Sequence, residues 1–80
     1  MRIVHVLSQF PSAELAIHRF YARDADFRSI CDDYEEALAA LRHWQGDAAR
    51  ATDFQRLATE LESEIAAFLD EHGAARRPIG

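Results

Sequence analysis

FRSICDDYEEALAALRHW, residues 27–44, decides how this chain folds. Within it Phe27, Ile30, Tyr34, Ala37, Leu41 and Trp44 recur at steps of three and four residues. Side chains so spaced share one side of an α-helix and form a single apolar stripe. No Gly or Pro interrupts the chain from Ala25 to Gln45. Just upstream, Asp24 is suited to cap the helix, Asp26 suits the positive end of its dipole, and Asp24 and Arg28 stand four apart as a favourable pair. The spacing predicts a helix from about Ala25 to Gln45 that stops at Gly46.

Downstream, residues 46–52 read as a connector whose Ala-rich middle can add a helical turn. Thr52 and Gln55 match a capping box, which starts a final helix at Asp53. That helix presents Phe54, Leu57, Leu61, Ile65, Phe68 and Leu69 on one face and ends near His72, with Gly73 as its stop. Residues 74–80, with Arg76-Arg77-Pro78, read as a flexible tail. Upstream, Phe10-Pro11-Ser12 is a start signal with Ser12 as cap, and a short helix follows over about Ala13–Ala22. Its Leu15, His18 and Ala22 fall on one side, with Ile17, Phe20 and Tyr21 beside them. Residues 1–11 are a lead-in that fits either a short strand or, through Ile3, Leu7 and Phe10, a helical face.

Two long helices of similar length joined by a short connector predict an antiparallel hairpin. The expected architecture is therefore all-α: lead-in 1–11, short helix 12–23, coiled-coil-like hairpin 24–73, tail 74–80, completed by self-association into a dimer or larger bundle. Trp44 then sits near Phe54 at the closed end, as a lid or as an interaction anchor, and Phe27 lies near Phe68 at the open end. Burying one such side chain is worth roughly 1.5–3 kcal/mol. A two-helix seam covers each only in part, and ordering each residue costs on the order of 1.5 kcal/mol. The hairpin alone is thus expected near zero stability and needs the first helix, a second copy, or both.

Eighty residues bound the chain to one domain. Cys31 is the only cysteine, which excludes an internal disulfide and fits a reducing, cytoplasmic compartment. Its neighbours Ile30 and Tyr34 mark it as a small apolar filler rather than a nucleophile. The apolar run Ile3–Leu7 is broken by His5 and is too short for a signal-peptide core or a membrane span. All nine basic residues are Arg. Residues 24–72 hold four Arg against thirteen acids, a net of −9, which repels nucleic acid and anionic membrane.

The order of these residues resembles the small bacterial YdcH-like proteins, cytoplasmic helical hairpins of unassigned function. Phe10-Pro11, Ile17-His18, Asp24, Phe27, Cys31-Asp32 and Tyr34 carry the likeness over about Phe10–Leu41, with Leu61, Glu64 and Ile65 later. The chain departs where that family's second helix is Lys-rich, having Glu60, Glu62 and Glu64 there, and has Ser63 in place of an Asp. The resemblance implies the hairpin fold more than any activity.

Candidate chemistry is sparse. His5, His18, His43 and His72 are scattered and Cys31 has no close partner, so the spacing of a structural zinc site is lacking, although His18 and His72 would approach if the first helix folds back. No Glu-x-x-His, Ser-His-Asp order or phosphate loop occurs. Asp32, Asp33, Glu35, Glu36, Glu60 and Glu62 read as a solvated face, with Glu64 nearer the seam and able to meet Arg28 or an Arg of a second copy. The expected function is a non-enzymatic assembly module, without cofactor or metal, that self-associates or binds a protein. Its expected interface is Phe27, Ile30, Tyr34, Leu41, Trp44, Phe54, Leu57, Leu61, Ile65 and Phe68. One alternative is a regulatory subunit that folds against a larger protein, and a lesser one is a small metal- or ligand-binding bundle.

Overall fold

The structure, a computed structural model, describes residues 3–73, so the expected tail lies outside it. Four α-helices make up the described chain: α1 (Val4–Gln9), α2 (Glu14–Arg23), α3 (Ala25–His43) and α4 (Ala48–Glu71). A 3₁₀ turn, Pro11–Ala13, leads into α2, and no strand occurs among the described residues. The lead-in is therefore helical. Ile3 and Val6 are buried and Leu7 and Phe10 pack against the core, which settles the ambiguity left by its β-branched residues.

Several helix ends differ from expectation, each for a local reason. At α2, no side chain caps the start, and Ser12 sits inside the 3₁₀ turn that Pro11 opens. Between α2 and α3 the break is one residue wide. The Asp24 N–H bonds the Phe20 carbonyl at 2.8 Å, closing α2. The Asp24 side chain accepts from the Phe27 N–H at 3.0 Å, opening α3. The Arg28 guanidinium does not pair with the Asp24 carboxylate. Its Nε donates to the Tyr21 carbonyl at 2.9 Å and its Nη2 to the Ala22 carbonyl at 3.2 Å, capping orphan carbonyls of α2.

α3 ends at His43 with Trp44 as cap, two residues before the expected end, and Asp47 N–H closes the turn onto the Trp44 carbonyl at 2.9 Å. α4 begins at Ala48, not Asp53, because Asp47 accepts from the Arg50 N–H at 3.1 Å and Ala48, Ala49 and Ala51 propagate helix readily. Thr52 and Gln55 thus lie inside the helix and their capping box is unused. Gly73 takes the stop expected of it, at φ +72°, the left-handed conformation a glycine tolerates without strain.

α3 and α4 meet along their apolar stripes, and the meetings run in opposite chain directions. Phe27 faces Phe68 with ring centroids 4.5 Å apart, and the Tyr34 hydroxyl donates to Glu62 at 2.7 Å. Nearer the turn, Ala37 and Ala40 lie beside Leu61, Leu57 and Phe54. The core comprises Val6, Ile17, Phe27, Cys31, Tyr34, Ala37, Ala58, Leu61, Ile65 and Leu69, with Ile3 and Ala13. α2 turns Ile17, Phe20 and Tyr21 inward, leaving Leu15 79% exposed and His18 and Ala22 in solvent. α1 and α2 both rest on α3, so cover for the α3–α4 seam comes from within the chain. The molecule is long, 46 Å in its greatest extent, with a radius of gyration of 13.5 Å. A compact domain of this size would have about 11 Å.

Candidate functional site

Three carboxylates expected in solvent are instead structural. Glu35 takes the backbone N–H groups of His5 (2.8 Å) and Val6 (2.9 Å) on one oxygen and lies 2.7 Å from the His5 Nδ1 on the other. An ionised carboxylate only accepts, which makes the ring nitrogen the donor. Asp32 accepts from the Tyr21 hydroxyl at 2.7 Å, fastening α2 to α3. Glu62 accepts from Tyr34, fastening α3 to α4. Glu64, expected near the seam, is exposed, and no ion pair joins it to Arg28. The three that bond occupy the edges of the stripes. Cys31, Glu35, Leu38 and Arg42, at steps of four, three and four, form the edge that would have signalled Glu35.

Cys31 is fully buried, and burial first, then Asp32 and Glu35, pushes its thiol up to about 12. It is protonated at neutral pH and makes no nucleophile there. Tyr34 is raised from its ordinary value by burial and by its bond to Glu62, and Tyr21 is raised mainly by its bond to Asp32. No group of three or more His, Cys, Asp or Glu side chains converges among the described residues. His72 approaches α2 at Phe20. It stacks on Phe68 (4.1 Å), lies 5.2 Å from Phe20, and its Nδ1 donates to the Phe68 carbonyl.

The aromatic cluster is interior. Phe20 meets Phe27 and Phe68 edge-on at 5.9 and 5.1 Å, so α2 closes the open end. Of the expected interface, Phe27, Tyr34, Leu61 and Ile65 are buried within one copy and Ile30 and Phe68 pack against the core. The first-named six therefore hold this chain together. Trp44 is half-buried and stands outside the core cluster. The Arg50 guanidinium lies 4.2 Å over its ring and His43 stands edge-on at 5.0 Å.

What remains available is one side of the α3–α4 pair. α1 and α2 occupy the side of α3 that carries Asp32, Glu35 and Ala39. The other side holds a shallow groove of about 250 Å³ between α3 and α4, lined by Asp33, Glu36, Ala37, Ala40, Phe54, Leu57 and Leu61. Leu57 is 42% exposed there. Leu41 lines a second, wider depression with Ala51, Thr52, Gln55 and Arg56. No described helix is long and apolar enough to cross a membrane. Comparison with known protein families, characterised proteins and solved structures gives no match for this chain.

Proposed function

We propose that this chain is a small, non-enzymatic interaction module: an antiparallel helical hairpin, sealed on one side by α1 and α2, that takes a protein partner on the other. One observation carries the reading. Leu57 stands 42% exposed in a groove whose floor is Phe54, Leu61, Ala37 and Ala40. A large apolar side chain left to water over an apolar concavity is a mark of a recognition surface. The resemblance to YdcH-like hairpins over Phe10–Leu41 agrees with the hairpin form, and the buried free thiol of Cys31 agrees with a reducing, cytoplasmic setting.

The core closes within one copy through Val6, Ile17 and Phe20, which supports a prefolded surface that docks on another protein over an obligate homo-oligomer. Immobilised wild-type chain is compared with Leu57→Glu and with Leu15→Glu, whose site is exposed but lies on α2. The reading expects a host protein, or a second copy, that wild type and Leu15→Glu retain and Leu57→Glu loses. Equal retention by all three overturns it.

A further inference from the structure

We infer that the occupant of the α3–α4 groove is a basic amphipathic helix, an inference that rests on the chain being an interaction module. The floor has the form a helix needs. Phe54, Leu57 and Leu61 stand three and four apart along α4, about 10 Å of helix or two turns of a guest. Ala37 and Ala40 keep the opposite wall low, so large side chains can enter between them and Leu57. That is the helix-in-groove mode, in which a guest's apolar face supplies anchors at spacings of three and four.

The rims decide the sign of the guest. Asp33 and Glu36 line the groove on α3. On α4, Glu60 follows Leu57 by three and Glu64 follows Leu61 by three, so both project on the same side as the groove, and both are exposed. Among the described residues no hydrogen bond or ion pair engages any of these four carboxylates, and no basic residue lines the groove. Arg50, the basic residue four before Phe54, is held over Trp44 and 3.6 Å from Asp47. A second copy docking groove to groove by two-fold symmetry would set these acid rims against each other. Lys or Arg on the flanks of a guest helix meets them with complementary charge, which sets specificity and speeds encounter.

The test uses the full chain and a fluorescent synthetic helix of about 18 residues, built from Leu at helical spacing and Lys elsewhere, beside a twin with Glu for Lys. Binding is followed by anisotropy at low and high salt. Saturable binding of the Lys helix alone, weakened about tenfold or more by Leu57→Ser and by Asp33→Lys with Glu36→Lys, and untouched by Asp70→Lys, supports the inference. Helical circular dichroism and melting of each variant must match wild type, and Leu57→Ser, at an exposed site, and Glu36→Lys alone are the variants that keep the fold intact. Equal binding of the Glu helix, or indifference to Leu57→Ser, overturns it. A concentration-dependent mass that Leu57→Ser abolishes, with no Lys-helix binding, overturns the basic guest and keeps the interaction module. Neither binding nor self-association overturns both.

Discussion

Glu35 and His5, thirty residues apart, are joined three times over: the carboxylate holds the His5 ring, the His5 N–H and the neighbouring Val6 N–H at 2.7, 2.8 and 2.9 Å. Those two N–H groups belong to the first turn of α1, where a helix has no partners of its own. A six-residue helix does not persist alone, so this clasp and the fully buried Val6 are what keep α1 on α3. Glu35→Ala is expected to lower stability by about 1–3 kcal/mol, and Glu35→Gln by less. Hydrogen exchange should quicken at His5 and Val6 more than at Ile65. Unchanged exchange at His5 and Val6 would show that the clasp is not made.

Tyr34 bonds Glu62 across the seam at 2.7 Å while its ring is buried among Phe27, Cys31 and Ile65. Tyr34→Phe keeps the ring and removes the bond, and the half-exposed Glu62 can turn to water. A loss of about 0.5–1.5 kcal/mol in urea unfolding is expected, since only the net value of one hydrogen bond disappears.

Alkaline pH should unfold the protein earlier than its carboxylates or arginines would suggest. Burial holds the Cys31 thiol up to about 12 against an ordinary value of 9.0, and the Tyr34 phenol is raised as well. Both groups are neutral in the fold and ionise more readily once unfolded. Their contribution is complete below pH 9 and shrinks as pH rises toward 12. The melting temperature should fall through that window, and Cys31→Ala should flatten its first part. For the same reason a thiol reagent at neutral pH should label Cys31 only on unfolding, and rapid labelling of the folded chain would contradict the burial.

The two candidate starts of α4 can be told apart by substitution. Asp47 accepts from the Arg50 N–H, whereas Thr52 lies within the helix. Asp47→Ala should cost about 1 kcal/mol. Thr52→Ala should change thermal stability by less than about 0.5 kcal/mol, because Ala is the better interior residue. The reverse order would restore Thr52 as the cap.

Phe27 is wholly buried between Phe20 and Phe68, and Phe27→Ala removes the ring on which α2, α3 and α4 converge. Its expected cost is about 3–5 kcal/mol. A domain of this length has a total stability of about 4–12 kcal/mol, so the variant should lose most of its cooperative melt. Leu57→Ser, by contrast, should melt close to wild type. That contrast separates the side chains that build the fold from the one offered to a partner.

The helical class, the stripes of α3 and α4 and the stop at Gly73 were legible because each depends on residues within one or two turns of each other. Asp24 as a cap was legible for the same reason. The start of α4 was misread because two cap signals, Asp47 and Thr52, compete five residues apart, and the Ala-rich stretch between them lets the earlier one win. Lead-in residues 3–10 could not be assigned, since β-branched Ile3, Val4 and Val6 suit a strand as well as a helix until Glu35 supplies the acceptor. Which residues of the stripes are covered within one copy was not legible, for a larger reason. A stripe says that a helix buries one face, but not whether its cover comes from another copy or from twenty residues upstream.

By itself, then, the amino-acid order determined the helices and the faces they bury, because spacing and caps are short-range physics. Only the tertiary structure decided which acids are bonded and which are bare. Glu35 and Glu36, or Glu62 and Glu64, differ by one or two positions, which is about 100–200° around a helix. Where α1 comes to rest turns Glu35 into a clasp, and where α3 meets α4 puts Glu62 against Tyr34, while Glu36 and Glu64 are left on the rim of an open groove.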